Sequence, residues 1–192
     1  MPRISPSNFP FHRLAKEGNV QAMQEMLESQ SVDINGVDNN LETPLFLASW
    51  MGHSAAVELL LQNGANVENQ ASTEYGFTTL IAAVQYGHTD VARLLLEHGA
   101  DANRENTRTG ATPLIIASQK GGVEVVKALL DAPGIDVNKA TATNGTTPLF
   151  MASLGGRPGA QEPPGDVQEG IVIPPPEATT YSDIQVSDRS KS

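Results

Sequence analysis

One motif returns four times at an almost constant interval, and this repetition constrains the fold more than any other feature of the chain. TPLFLASWMGH begins at Thr43, TTLIAAVQYGH at Thr78, TPLIIASQKGG at Thr112 and TPLFMASLGGR at Thr147, so the steps are 35, 34 and 35 residues. A weaker copy, PFHRLAKEGN, stands one period earlier. A fixed period of this length is typical of proteins that stack one small unit repeatedly.

Each unit predicts two short helices. The Thr-Pro pair at residues 43–44 supplies a side-chain cap and a proline at the first helical position, where the missing N–H is not needed. Gly52 follows and ends this helix. In the second helix the apolar residues Val57, Leu60 and Leu61 lie three and four positions apart and form one stripe. Two helices this short bury too little surface to be stable alone, so the units are expected to stack.

The repeat unit resembles the ankyrin repeat, and the resemblance covers roughly residues 8–156. Two departures stand out, because Thr79 replaces the proline of the third repeat and Gly122 replaces the histidine of the fourth. The resemblance implies an all-α fold, a solenoid of stacked helix-turn-helix units with β-turn or hairpin loops. It rests on the TPLxxA cores, the VxxLL-like second helices, the pairs Gly52-His53 and Gly87-His88, and the loops GANVE and GADAN at Gly64 and Gly99.

The repeat pattern stops after Gly156, and the composition changes there. Six of the 13 prolines fall in the last 36 residues, which show no second-helix pattern. Such a segment is predicted to be disordered. The predicted organisation is a flexible amino terminus (1–7), an ankyrin repeat domain (8–156) with repeats at 8–37, 38–72, 73–106 and 107–141 and a half-repeat at 142–156, and a Pro-rich acidic disordered tail (157–192).

The fifth unit supplies a first helix, from Pro148 to about Leu154, and no second helix to cover it. A solenoid usually ends in a repeat with a polar outer face, because an uncapped end exposes apolar surface. Leu149, Phe150 and Met151 have no evident successor. Two hypotheses remain open: the segment 171–173 (Ile-Val-Ile) folds back onto this end, or the end frays.

Charge and composition exclude several function classes. The chain has 22 Asp+Glu against 12 Lys+Arg, and its net charge of −10 repels nucleic-acid phosphates and anionic membranes. It contains no cysteine, so disulfides, thiolate metal sites and cysteine nucleophiles are absent. No apolar run approaches the ~20 residues that a membrane span needs. We expect an intracellular protein of the cytoplasm, with the nucleus as the alternative, that neither binds nucleic acid nor inserts into membranes.

Catalysis has no candidate residues. The chain contains no GxGxxG, GxxxxGK[ST], GxSxG or HExxH pattern. His53 and His88 occupy the same phase of successive repeats, so stacking separates them by roughly 8–10 Å, too far to share one zinc ion. We expect both to bond to backbone at the turn between paired helices. The resemblance gives His12 a similar role, and His98 precedes a helix-ending glycine. No enzyme activity, cofactor, metal or small-molecule substrate is expected.

In the ankyrin family the loop tips and the exposed side of the first helices bind other proteins. Carried over by register, the resemblance assigns that face to Asn39, Asn40, Glu42, Trp50, Met51, Glu74, Tyr75, Phe77, Gln85, Tyr86, Arg108, Thr109, Gln119 and Lys120, with Asn144 and Thr146 in the fifth unit. Large aromatics are common interface anchors, so Trp50, Tyr75, Phe77 and Tyr86 are interpreted as a binding hot spot. The alternative is that Trp50 and Phe77 pack between repeats.

The sequence therefore predicts a non-catalytic protein–protein interaction module, an adaptor or scaffold, whose partner protein it does not identify. The alternative is a structural subunit that associates through the half-repeat and tail. Two modification sites are also hypothesised. Tyr181, in TTYSDI, is similar to tyrosine motifs of receptor tails, with a solvated linker tyrosine as the alternative. Asn138, in IDVN, and Asn35, in VDIN, resemble ankyrin-loop asparagines that are hydroxylated in some organisms.

Overall fold

The computed structural model of the chain describes residues 10–29, 32–68 and 75–155. The predicted flexible amino terminus (1–7) and the predicted disordered tail (157–192) lie outside these ranges. Within the described ranges there are helices and no strands, so the predicted all-α repeat fold is confirmed. The helices are α1 (Pro10–Glu17), α2 (Val20–Glu28), α3 (Pro44–Met51), α4 (Ser54–Gln62), α5 (Thr79–Gln85), α6 (Thr89–Glu97), α7 (Pro113–Lys120), α8 (Val123–Leu130) and α9 (Pro148–Gly155).

The first helix of each repeat from the second onward begins at a threonine cap. The hydroxyl oxygen of Thr43 accepts a hydrogen bond from the backbone N–H of Phe46 at 3.1 Å. The same bond measures 3.1 Å at Thr78, and 3.3 and 3.2 Å in the fourth and fifth repeats. Helix α5 keeps this cap although Thr79 replaces the proline, because the bond depends on the hydroxyl of the preceding residue.

Helix α3 ends at a glycine in the left-handed conformation. Gly52 has a φ of 79° and donates its N–H to the carbonyl of Ser49 at 3.3 Å, and the next N–H, of His53, reaches the carbonyl of Ala48 at 2.9 Å. These bonds satisfy carbonyls that would otherwise lack a partner at the helix end. The turn into α4 follows directly, so the predicted helix-turn-helix unit is observed.

The helices form two layers. The first helices, α1, α3, α5, α7 and α9, pack side by side in chain order, and the second helices, α2, α4, α6 and α8, do the same. Each first helix of repeats one to four also packs on the second helix of its own repeat. The core lies between the layers, where one apolar face of each helix is buried. Its largest fully buried side chains include Met23, Phe46, Leu60, Ile81, Leu95 and Leu129.

The first helices are buried on more sides than their sequence predicts. Leu45 and Ala48 are expected to face inward, yet every side chain from Pro44 to Ser49 is buried. An internal first helix has a neighbour on each side and a second helix behind it, so little of its surface remains free. The predicted stripe of the second helix, by contrast, is confirmed in α4, where Val57, Leu60 and Leu61 are all buried.

The fifth repeat contributes α9, which packs against α7 and closely matches the predicted helix. Its Leu149 is 79% exposed and its Phe150 is 41% exposed. The equivalent residues of α3, Leu45 and Phe46, are 1% and 0% exposed. The described part of the fold therefore ends in an apolar surface.

Candidate protein-binding face

A tight turn precedes the first helix of the second repeat, and one carboxylate holds it together. An Oδ1 atom of Asp38 accepts hydrogen bonds from the backbone N–H groups of Asn40 at 2.8 Å and Glu42 at 3.0 Å. The backbone N–H of Asp38 closes the turn on the carbonyl of Glu42 at 3.0 Å. An aspartate side chain that accepts from the backbone two residues further on stabilises a turn in place of a backbone bond. The tip carries the exposed side chains of Asn39 and Asn40.

The turn before α7 has the same feature, built around the buried side chain of Asn106. The Oδ1 atom of Asn106 accepts from the N–H groups of Arg108 at 2.8 Å and Thr109 at 3.0 Å. Its Nδ2 donates at 2.9 Å to the carbonyl of Tyr75, in the turn before α5, and the N–H of Thr107 reaches the carbonyl of Gly76 at 3.0 Å. The turn is therefore bonded to its neighbour, which fixes the position of its exposed tip.

The structure brings most of the predicted contact residues to the surface. These residues fall into two groups by exposure. Most turn tips and the end of α7 are exposed, whereas the ends of α3 and α5 are half-buried. The exposed ones are Asn39, Asn40, Arg108, Thr109, Gln119, Lys120 and Asn144, and the half-buried ones are Trp50, Met51, Gln85, Tyr86 and Thr146. Asn138, the hypothesised modification site, is exposed, whereas Glu74 and Tyr181 lie outside the described residues.

Three of the predicted contact residues are not exposed. Glu42, Tyr75 and Phe77 are only 3%, 4% and 8% exposed, so the prediction that they present their side chains to a partner is wrong. Glu42 closes the turn and immediately precedes the buried cap Thr43, which draws it inward. The two aromatic residues pack on Trp50 instead of facing solvent.

Trp50 is the centre of an aromatic cluster between the second and third repeats. Its ring centroid lies 5.3 Å from Phe46, 5.8 Å from Tyr75, 6.1 Å from Phe77 and 5.5 Å from Tyr86. The contacts with Phe46 and Tyr75 are edge-on, while Tyr86 is stacked. Such pairs stabilise a fold beyond the area they bury. The alternative interpretation of the sequence, packing between repeats, therefore describes this cluster, and Trp50 and Tyr86 form its partly exposed rim.

The environment of Tyr86 keeps its phenol neutral over a wide pH range. Burial raises the pKa of Tyr86 to about 12, and the nearby Tyr75 adds to the rise. The buried hydroxyl oxygen of Tyr86 has no hydrogen-bond partner among the described residues. A buried polar atom without a hydrogen-bond partner costs stability, and burying the ionised phenolate would cost more than burying the neutral phenol.

Histidines join successive repeats, as the sequence predicts for the turn between paired helices. The Nε2 atom of His53 lies 3.0 Å from the carbonyl oxygen of Lys16, and that of His88 lies 3.0 Å from the carbonyl oxygen of Trp50. His12 makes a similar 3.0 Å contact with the carbonyl of Gly36. Desolvation by burial lowers the pKa of His88, the bond to Trp50 opposes this effect, and His53 adds to the lowering.

We call His53 and His88 the joint histidines, because each connects two successive repeats. The ring of each lies directly against a glycine of the preceding repeat. A β-carbon placed on Gly52 would stand 2.5 Å from the His88 ring, closer than real atoms approach. Gly87, one repeat later, has nothing within 4 Å of that position, because Gly122 replaces the next histidine. The joint between the third and fourth repeats therefore lacks this contact.

The loops after the second helices form a ladder of side-chain-to-backbone bonds. The side-chain oxygens of Asn35, Glu68 and Asn103 each accept one backbone N–H from the next repeat, at 2.8, 2.9 and 2.8 Å. Arg104 pairs with Glu68, and Lys139 pairs with Glu105 at 3.0 Å. These polar residues hold the stack together.

Leu41 was not identified from the sequence, although it is unusual in two ways. It is the only non-glycine residue of the described ranges with a positive φ, 64°, and its side chain is 48% exposed. The equivalent turn position is glycine in the next three repeats, at Gly76, Gly110 and Gly145, with φ of 65°, 70° and 69°. Aligning the turns with the repeat would have revealed it. A bulky residue in this conformation is strained.

Two further features concern the part of the chain that the structure describes. None of its helices has the length and apolar character that crossing a membrane requires. No group of three or more His, Cys, Asp or Glu side chains is arranged there to hold a metal ion.

Comparison with known proteins places the repeats in a family. The family described as ankyrin repeats (3 copies) matches residues 4–71, 68–141 and 104–161. A Caenorhabditis elegans homolog of transient receptor potential cation channel subfamily A member 1 is 41% identical over 61 residues, 31% of this chain and 5% of that protein. Mouse ankyrin repeat and SAM domain-containing protein 6 is 38% identical over 68 residues, 35% of this chain and 8% of that protein.

Osteoclast-stimulating factor 1 of Monopterus albus is 42% identical over 65 residues, 34% of this chain and 27% of that protein. The matched segments are thus small parts of these relatives, and the similarity concerns the repeats. The family match, by contrast, extends over nearly all of the described residues, in step with the helix pairs and their capped turns. The chain therefore belongs to the ankyrin repeat family.

Proposed function

We propose that this protein is a non-catalytic protein-binding module, an adaptor or scaffold, that recognises a partner protein with its turn tips and the ends of its first helices. Ankyrin repeats are in general protein–protein interaction modules, which supports the class of function. The observation that carries the proposal is the partly exposed rim of Trp50 and Tyr86, whose rings stack on each other at a centroid distance of 5.5 Å. Trp50 rests in turn on the buried aromatic residues of the cluster.

A rigid base favours binding because little freedom is lost when a partner docks. Phe46, Tyr75 and Phe77 hold Trp50 from below, so its ring is already ordered in the free protein. Partly exposed aromatic rings on such a base are common binding hot spots. The proposed face also includes exposed polar and basic side chains of the turn tips and helix ends, Asn39, Asn40, Arg108, Thr109, Gln119 and Lys120.

Affinity capture with the full chain as bait, followed by mass spectrometry, tests the proposal. Substituting Lys120→Glu and Tyr86→Ala changes the charge and the aromatic rim of the proposed face. We expect both variants to lose at least tenfold in retention of the proteins that the unmodified chain captures. The matched control is Arg93→Glu, because Arg93 is an exposed base on the second helix α6, away from the first-helix ends.

Circular dichroism establishes first that the three variants are folded. If folded Lys120→Glu and Tyr86→Ala retain the same proteins as Arg93→Glu with unchanged affinity, the proposed face is wrong. A purified partner identified in this way then gives dissociation constants for Trp50→Phe, which keeps an aromatic ring, and for Trp50→Ala.

The finer features of this proposal have separate tests. The proposed location is the cytoplasm or the nucleus, which a fluorescent fusion of the full chain distinguishes. The proposed domain limits, 8–156 for the repeats and 157–192 for the tail, are tested by limited proteolysis. Hydroxylation of Asn138 and phosphorylation of Tyr181 remain proposals that intact-mass analysis of the protein from its natural source checks.

A second candidate function is assembly through the carboxyl-terminal end of the stack. The exposure of Leu149 and Phe150 on α9 favours it, because surfaces of this kind are buried in every other repeat. Light scattering coupled to size-exclusion chromatography separates the two functions, since assembly requires a mass above that of one chain.

A further inference from the structure

The open end of the stack is apolar at positions that are sealed elsewhere in the molecule. Leu149 is 79% exposed, whereas its equivalents Leu45, Leu80 and Leu114 are 1%, 2% and 3% exposed. Ala152 is also exposed, although alanine is buried at the same position of α3, α5 and α7. Among the described helices only α7 packs beside α9, whereas each internal first helix has a neighbour on both sides. The exposure therefore follows from this difference and not from a change in the helix.

Helix α8 extends this apolar end. Leu130 is 47% exposed, while Leu61, at the same position of α4, is 7% exposed because α6 packs over α4. Val126 is half-buried, and its equivalent Val57 is fully buried. Both layers of the stack thus present apolar side chains that a further pair of helices would cover.

The opposite end of the described stack is polar. Arg13 of α1 stands where the next three first helices bury Leu47, Ala82 and Ile116, and it pairs with Glu17 at 3.6 Å. In α2, Glu25 is exposed where α4 has the half-buried Leu59. The described part of the stack therefore has one charged end and one apolar end.

This asymmetry decides how two copies can meet. A head-to-tail contact would bury Arg13, Glu17 and Glu25 against Leu149 and Phe150, and burying charges against apolar groups is strongly unfavourable. A contact between two carboxyl-terminal ends covers apolar surface with apolar surface. We infer that two copies of this chain associate through α9 and α8 around a two-fold axis, as an isologous dimer.

The α9 and α8 surface is distinct from the proposed recognition face. The dimer proposal and the proposal of partner binding can therefore be tested independently of each other. The dimer also has an electrostatic signature. Each copy carries a net charge of −10, so the copies repel one another and salt screens that repulsion. Raising the salt concentration therefore strengthens this dimer, whereas it would weaken a contact based on opposite charges.

The first experiment measures the mass of the full chain by size-exclusion chromatography with light scattering over a concentration series. We expect twice the 20.3 kDa of one chain at high concentration, with dissociation on dilution. Phe150→Glu should weaken the dimer at least tenfold. The matched control Val37→Glu should not, because Val37 is equally exposed, at 41%, and lies in the loop before α3.

Three outcomes overturn the inference. One is a mass of 20.3 kDa at every concentration. If Leu149→Glu then lowers the melting temperature of this monomer, another part of the same chain covers the apolar end. Another is equal weakening by Val37→Glu and Phe150→Glu. The third is a dimer that dissociates as salt is added.

Cysteine cross-linking tests the symmetry, because the chain has no cysteine of its own. Ser153→Cys places one thiol on the exposed side of α9, and Gln21→Cys places one on the exposed side of α2. Under mild oxidation we expect Ser153→Cys to form a covalent dimer and Gln21→Cys to remain a monomer. A cross-link formed only in a mixture of the two variants would show head-to-tail contact and overturn the two-fold dimer.

Discussion

The segments TPLFLAS at residues 43–49 and TPLFMAS at residues 147–153 differ at one position of seven, and both begin with a capping threonine. In the first segment Leu45 and Phe46 are 1% and 0% exposed. In the second, Leu149 and Phe150 are 79% and 41% exposed. The local sequence determines that each segment forms a helix, and the neighbouring repeats determine whether that helix is buried. Stability in such a stack is a property of contacts between repeats.

The largest expected effect comes from the same substitution made in both segments. Leu45→Ala removes a buried side chain and should lower the free energy of unfolding by about 3 kcal/mol. Leu149→Ala should lower it by less than about 0.5 kcal/mol in the monomer, because that side chain is mostly exposed already. Urea unfolding at a chain concentration that gives a monomeric mass measures both values. Similar losses for the two variants would contradict the comparison.

The second pair concerns the joints between repeats. Gly52→Ala and Gly87→Ala both place a β-carbon at a positive φ, of 79° and 75°, which costs about 1 kcal/mol. At Gly52 the added atom also collides with the His88 ring, so the hydrogen bond between His88 and the Trp50 carbonyl is lost. The total loss in the free energy of unfolding should therefore reach about 2 kcal/mol for Gly52→Ala. Thermal unfolding of both variants checks the difference, and equal losses would show that the histidine joint adds no stability.

The third prediction restores the joint that the chain lacks. Gly122 has φ −76° and ψ 82°, close to the −77° and 76° of His88, so a histidine fits this backbone. Gly122→His should bond to the Gln85 carbonyl, one repeat after Trp50, and stabilise the protein by about 1 kcal/mol. Gly122→Ala is the control, because it shares the loss of glycine flexibility without the bond. If histidine is no better than alanine in chemical denaturation, the joint does not transfer.

A smaller gain is expected at the strained turn of the second repeat. Leu41→Gly removes the unfavourable contact of a β-carbon at φ 64°. Glycine also raises the conformational entropy of the unfolded chain, which offsets part of this gain, so the net stabilisation should be about 0.5 kcal/mol. Leu41→Ala keeps the strain and serves as the control. A lower melting temperature for Leu41→Gly would mean that the packing of the leucine side chain stabilises the protein by more than its backbone strain costs.

The last effect, which is absent at neutral pH, is an alkaline pH dependence of the aromatic cluster. Tyr86 has a raised pKa of about 12 when folded, against 10 for an ordinary tyrosine, so the unfolded chain ionises first. Stability contributed by the neutral phenol is complete below pH 10 and is lost as the pH rises from 10 to 12. Tyr86→Phe should show a shallower alkaline loss in denaturant titrations at pH 9, 10 and 11. Identical pH profiles would place Tyr86 in a more exposed environment.

The helices were predictable from the sequence because their signals are local. A threonine hydroxyl caps the backbone three residues later, and a glycine such as Gly52 ends the helix within the same unit. The turn glycines and Leu41 also carry a local signal, which appears once the turns are aligned. The contact between His88 and the Trp50 carbonyl was predictable in kind, but its acceptor lies in another repeat.

The side-chain environments were harder to predict because they depend on residues a full period away. Tyr75 and Phe77 are close in sequence to a predicted surface turn, yet the ring of Trp50 from the preceding repeat covers them. The bond from the Asp101 N–H to Glu68 likewise joins two loops that only stacking brings together. A single unit contains no information about its neighbour's side chains, so an expectation of exposure at this face fails where the neighbour is large.

Amide hydrogen exchange followed by mass spectrometry tests the central claim, that neighbouring repeats and not local sequence determine burial and stability. The measurement compares peptides from α3 and α9 at a concentration where light scattering gives 20.3 kDa. We predict that the amides of α9 exchange at least about a hundredfold faster than those of α3, because α9 opens without disturbing the rest of the stack. Equal protection of the two helices would contradict the account.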